Sequence, residues 1–288
     1  MKTLSSPAAT AATILRDSAA ARSAAYYASM VGVLLTCFKL PHDPENPFTK
    51  HVHPQAFPGV VAITDVFTRL RPEDWAAWTH TPTPADLADL ARGVALGVTA
   101  SAGVLGVGMA KGWMSAPAWG WEQGHAQETV LASAALTAAQ TAVLVFNEET
   151  IFRGYGLDTL RAACGLPAAL AISVPLFARY HGPGWKRFVG LGAAGLLLTL
   201  LRLRTGNLWL AAGFHWGWNV AQLSLFGPKE GAPSLRPLHL HGPDAWVGRP
   251  GEPDPGWLQI LTTVVMAALA GMELKRSRAR QEGVDLPR

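Results

Sequence analysis

Apolar residues run through this chain in long unbroken blocks instead of alternating with polar ones. A helix that crosses a bilayer needs roughly 20 mostly apolar residues, and six stretches approach or reach that length without a fixed charge in the middle: 86–110, 130–146, 162–177, 188–201, 208–226 and 257–274. A seventh, 24–38, is short for a span and suits the membrane interface equally well. The pattern predicts an all-α fold, a polytopic transmembrane helical bundle of about six to eight helices. Within the first block, Gly93, Gly97, Ser101 and Gly103 supply small surfaces for close helix approach. The glycine run Gly103, Gly106 and Gly108 follows no strand, so small-residue packing explains it better than nucleotide binding.

Between the blocks, the Pro-rich stretches 41–84 and 227–256 show no helical or alternating period and read as extramembrane loops. Trp75, Trp78, Trp113, Trp119, Trp121, Trp246 and Trp257 fall near block ends, where amphipathic rings favour the membrane boundary. Three regions follow. Residues 1–127 form an N-terminal membrane region with a weak or interfacial first helix, a polar loop and one clear span. Residues 128–226 form a core, and 227–288 a loop, a last span and a basic tail. The Ala-rich N-terminus lacks the charged start, apolar centre and cleavage site of a removable signal peptide.

Composition supports the lipid reading. Of 288 residues only 15% are charged, against about 25% in ordinary soluble domains, while 49% are hydrophobic and 11 are Trp. Mean hydropathy is +0.18. With 24 Lys plus Arg against 20 Asp plus Glu, the small positive balance argues against a nucleic-acid partner and for membrane lipid. Cys37 and Cys164 cannot form a disulfide framework and are expected to pack as apolar thiols. The basic tail from Lys275 to Arg280 predicts a cytoplasmic C-terminus, with Arg161, Arg202, Arg204, Arg69 and Arg71 on that side. Arg179, Lys186 and Arg187 then fall on the opposite side, and Arg16 and Arg22 fit poorly with an external N-terminus.

Ionisable side chains inside a bilayer cost a few kcal/mol or more, roughly, so those within spans are candidates for function. Glu148, Glu149 and Arg153 continue the second block. On a helix Glu149 and Arg153 share a face and can pair, whereas Glu148 is rotated about 100° away and is left for chemistry. Phe177 and His181 end the third block, and His215 and Asn219 lie four apart inside the fifth. Glu148 and His181 are equally far from the turn signal Cys164-Gly165-Leu166-Pro167, so a hairpin folded there would bring them to similar heights. A carboxylate and an imidazole in a shielded pocket make a general-base pair. The second imidazole and the amide can donate to a developing oxyanion. The ordinary alternatives are a solvated Glu-Glu-Arg helix face and interhelical hydrogen bonds from His215 and Asn219, each worth only about 0.6 kcal/mol. The pairs His51 and His53, and His239 and His241, lie in Pro-rich loops without a carboxylate or Cys cluster and read as loop residues, not metal ligands.

In order and spacing these groups resemble the CPBP family of intramembrane glutamic endopeptidases, which includes CaaX prenyl protease-like and bacteriocin-processing (ABI) members. The family pattern Glu-Glu-x-x-x-Arg, then Phe-x-x-x-His, then His-x-x-x-Asn is met by Glu148, Glu149 and Arg153, by Phe177 and His181, and by His215 and Asn219. The flanks Phe152-Arg153-Gly154 and Gly206-Asn207-Leu208-Trp209 are similar too, and the likeness covers 128–226, about a third of the chain. It implies that Glu148 and His181 activate a water, that His215 and Asn219 stabilise the oxyanion, and that Glu149, Arg153 and Phe177 support them. Arg179 departs from the pattern, standing where small or apolar residues are expected. Neither a His-Glu-x-x-His run nor a Gly-x-Ser-x-Gly elbow is present.

The expectation is therefore a multi-pass membrane hydrolase of the bacterial cytoplasmic (inner) membrane that needs no cofactor. Its partners would be lipid and a protein substrate cut in a membrane-associated segment, near that protein's C-terminus. Two alternatives stand beside it: a metal-dependent protease holding a divalent ion at Glu148, His181, His215 and Asn219, and a non-catalytic scaffold or immunity protein of the same fold.

Overall fold

The computed structural model describes residues 7–39, 56–71, 82–227, 233–248 and 255–281. The fold is all-α. In chain order its helices are α1 (Pro7–Asp17), α2 (Ala19–Lys39), α3 (Ala56–Leu70), α4 (Pro84–Ala110), α5 (Gln127–Phe152), α6 (Tyr155–Tyr180), α7 (Trp185–Thr205), α8 (Trp209–Val220), the single turn α9 (Asp244–Val247) and α10 (Trp257–Gln281). A two-residue ribbon pairs β1 (Met114–Ser115) antiparallel with β2 (His239–Leu240). The described residues form two compact units: one holds those up to 71 together with Phe146–Ser173, the other those from 82 to 145 and from 174 onward. The chain passes between the units within α5 and again within α6.

In the first unit α2 and α3 meet through an aromatic nest. The Tyr26 ring lies 5.6 Å from Phe67 and 4.9 Å from Tyr155, Tyr26 and Thr64 share a hydrogen bond of 3.1 Å, and the Tyr155 hydroxyl donates to the Phe67 carbonyl at 3.2 Å. Buried hydroxyls need such partners because an unmade hydrogen bond costs about 1–3 kcal/mol. Arg22 is fully buried and donates to the carbonyls of Leu15 and Arg16 at 3.0 and 2.6 Å, satisfying the C-terminus of α1. Its charge thus serves packing, which removes it from the count of loop cations that orients a membrane protein.

In the second unit α4 begins with Pro84 behind a capping box in which Thr83 and Asp86 exchange hydrogen bonds. The same Asp86 accepts from Asn207 at 3.3 Å, so the turn between α7 and α8 is tied to the start of α4. That turn needs Gly206, whose φ is +76°. The closest contact is between α4 and α8. A methyl added at Gly93 or Gly97 would strike the carbonyls of Leu210 or Phe214, and one at Gly213 or Gly217 would strike those of Leu90 or Val94. Backbone therefore meets backbone from both sides. Beyond α8, the π-turn Ala221–Leu225 exposes its last carbonyls to the segment 235–238: Leu235 donates to Ser224 at 3.0 Å and Arg236 to Leu225 at 2.8 Å. Arg236 also donates to the Ala116 carbonyl and lies 4.9 Å from the Trp119 ring, which stacks on Trp121.

All six predicted apolar helices are present, with four stretches long and apolar enough to cross a membrane: Pro84–Ala110, Gln127–Tyr180, Trp185–Thr205 and Trp257–Ser277. The block 208–226 differs from expectation, since α8 has 12 residues before the π-turn and rises only about 18 Å. The stretch 41–84 is not wholly loop: α3 occupies Ala56–Leu70, its period hidden by Pro58, Gly59 and the β-branched run that follows. Likewise α9 and β2 lie within 227–256. The small-residue expectation holds at Gly93, Gly97 and the buried Ser101 but fails at Gly103 and Gly106, where a methyl would meet open space. Cys164 is exposed instead of packed. Of the boundary tryptophans, Trp113 pairs with Trp246 and Trp185 with Trp257; Trp75, Trp78, His51 and His53 lie outside the described residues.

Replacing Gly97 or Gly217 by Leu should separate α4 from α8 and lower thermal stability in detergent by an amount typical of severe overpacking, about 3 kcal/mol or more. Gly103→Leu, measured in the same melting assay, should leave stability within about 0.5 kcal/mol.

Candidate active site

The apolar block of α5 continues as helix through the acidic pair, because Glu148, Glu149, Thr150, Ile151 and Phe152 all keep helical hydrogen bonding. The helix ends at Arg153-Gly154, where the amides of both residues donate to the Glu149 carbonyl at 2.9 and 2.8 Å. Arg153 Nη1 reaches back to Glu149 Oε1 at 3.0 Å, with side chains 1% and 0% exposed. The predicted four-residue pairing is thus made inside the protein, where a lone charge would be far more costly than a pair. Glu148 is equally sheltered, at 3% exposed, and it too acts electrostatically on Arg153. One guanidinium stands against two carboxylates.

The other candidates lie in the second unit. Phe177 is buried, and its ring is 4.6 Å from that of His181 and 6.3 Å from that of His215, so it seats both imidazoles. His181 follows the last residue of α6, and its Nδ1 lies 2.8 Å from the Phe177 carbonyl. A carbonyl can only accept, so Nδ1 carries the proton and, in the neutral ring, the lone pair is on Nε2. This tautomer suits a base. His215 and Asn219 are half-buried on α8, and the neighbouring Trp216 indole donates to the Ala138 carbonyl of α5 at 2.9 Å, which sets the rotation of α8 about its axis.

At the turn expected at 164–167, Gly165, with φ +77° and ψ 167°, interrupts the helix, and the chain also leaves helical geometry at Arg153-Gly154 between α5 and α6. Arg179 is exposed in the last turn of α6, a position that favours cations. One residue not singled out by its motif is Arg187, which donates to the His181 carbonyl at 2.9 Å and pins the turn through Gly182 and Gly184, both of positive φ. His-Gly-Pro-Gly followed by Arg three residues on was its only signal in the chain. Among the described residues no group of three or more His, Cys, Asp or Glu side chains is arranged to hold a metal ion. His239 and His241 stack face to face, and His241 bonds Ser115 at 2.8 Å, an ordinary ribbon contact.

Residues 130–221 match the family model for type II CAAX prenyl endopeptidases, Rce1-like. The match covers about a third of the chain. It contains every residue named above from Glu148 to Asn219, and this likeness and the four long apolar stretches together point to an integral membrane protein. No curated protein and no solved structure matches the chain.

Glu149→Gln should take from the buried Arg153 the carboxylate it bonds at 3.0 Å, costing up to about 3–5 kcal/mol, whereas the double change Glu149→Gln with Arg153→Met should recover a large part of the loss. Thermal melts of the detergent-purified single and double variants measure the difference.

Proposed function

We propose that the chain is a glutamic intramembrane endopeptidase, cutting a peptide bond in a membrane-associated protein near its C-terminus. The observation that carries this reading is a buried carboxylate, Glu148, next in sequence to the Glu149 that pairs with the buried Arg153, on a lipid-length helix within the segment that matches the CAAX prenyl endopeptidase model. Glu148, assisted by Nε2 of His181, removes a proton from water; the hydroxide adds to the scissile carbonyl; His215 and Asn219 donate to the oxyanion. Collapse of the tetrahedral intermediate breaks the C–N bond, and the proton held by Glu148 passes to the leaving amine. General-base assistance is worth about 10²–10⁴ in rate and each oxyanion donor about 10²–10³, so no metal or organic cofactor is needed. The bacterial cytoplasmic membrane is the proposed location.

Mapping protein C-termini in membrane fractions of cells that carry the wild type or Glu148→Gln should reveal one or a few termini left uncut in the variant. With that substrate in hand, Glu148→Gln should lose at least about 10²-fold in kcat, and His215→Ala or Asn219→Ala about 10²–10³-fold. Turnover retained by Glu148→Gln excludes the mechanism, whereas a phenotype insensitive to Glu148→Gln with no termini left uncut favours a scaffold. Stoichiometric metal in purified active protein favours the metal-dependent alternative.

A further inference from the structure

Helix α2 lies outside the matched segment 130–221, yet it sends a phenol to the acidic cluster. The Tyr27 hydroxyl is buried and has no hydrogen-bond partner among the described residues. Its ring packs on the cluster of Leu157, Leu160 and Ala169 and crosses edge-on to Tyr26 at 5.8 Å. The hydroxyl fills the space above Gly156, where an added methyl would lie 2.6 Å from the oxygen. It therefore sits at the turn that ends α5, three residues from Arg153, and phenol and guanidinium act on one another electrostatically. A buried hydroxyl without a partner is uncommon in native proteins and calls for a physical reason. Packing alone is not one, because Phe would fill the same volume without the cost of an unmade hydrogen bond.

We propose that Tyr27 is a positioning residue of the acidic cluster, its hydroxyl linked through one water to the Arg153–Glu149 pair. The water can accept a hydrogen bond from the phenol and donate one to a Glu149 oxygen, and it braces the cation beside the acidic pair. The other titratable or charged groups around this place are Glu148, Glu149 and Arg153 at the end of α5, Tyr155 on α6 and Tyr26 on α2. From α3, Asp65 and Arg69 pair with each other in the open, and Arg22 is committed to the carbonyls of α1. The catalytic consequence rests on the proposed function; the hydrogen-bond link does not.

The test uses the full chain in lipid nanodiscs with isotope-labelled glutamate carboxyls, read by infrared difference spectroscopy. Glu148→Gln and Glu149→Gln assign the two bands by their loss. Tyr27→Phe keeps the ring and should displace the carboxyl bands of the pair, while Tyr26→Phe, which removes the hydroxyl bonded to Thr64, should leave them in place. On a mapped substrate, Tyr27→Phe should lower kcat about tenfold with KM unchanged. Bands of Tyr27→Phe that superimpose on the wild type overturn the proposal, and so does an equal displacement in Tyr26→Phe. Because the bands are read without turnover, failure of the protease reading, seen as activity surviving in Glu148→Gln, is distinguishable from failure of the Tyr27 link.

Discussion

A cation and two carboxylates have been taken out of water at the end of one helix, and much of the first unit is arranged around that fact. Arg153 and Glu149 neutralise each other at 3.0 Å with almost no exposure. In a medium of low polarity such a pair is tolerable only when its geometry is held from outside, because its separation would leave two bare charges. The helix end at Arg153-Gly154 supplies that hold: the same Glu149 whose side chain grips the guanidinium also accepts both amides of the turn with its carbonyl. Main chain and side chain of one residue thereby fix the position of its neighbour Glu148.

The second unit solves a different problem, that of giving two imidazoles and an amide fixed directions on helices that lipid alone would not orient. The glycines of α4 and α8 allow backbone contact along one face, the Trp216 indole locks rotation against α5, and the Phe177 ring separates the two histidines. Dispersion between closely fitted surfaces replaces the hydrophobic effect, which has little to act on between helices already surrounded by hydrocarbon.

What the amino-acid order made legible follows from the strength of each signal. Long apolar blocks announce helices whatever surrounds them, so α4 to α8 and α10 were readable, and the four-residue spacing of Glu149 and Arg153 made their pairing readable as well. The helix α3 was not, because a short segment beginning with Ala-Phe-Pro-Gly reads as a breaker until α2 covers it. Gly103 looked equivalent to Gly97 because sequence spacing shows periodicity but not which face has a neighbour. The support given by Arg187 to His181 is a side chain bonding a backbone carbonyl across a turn, and Arg22 does the same at the end of α1. Such contacts depend on a loop path that residue types alone do not specify.

The segment 235–238 has a mechanical consequence. Because its amides occupy the last carbonyls of the π-turn, and its Arg236 is clasped between Ala116 and the stacked tryptophans, it is tied to the C-terminal end of α8 by main chain and side chain together. A binder gripping that segment would hold a handle on the helix that bears His215 and Asn219.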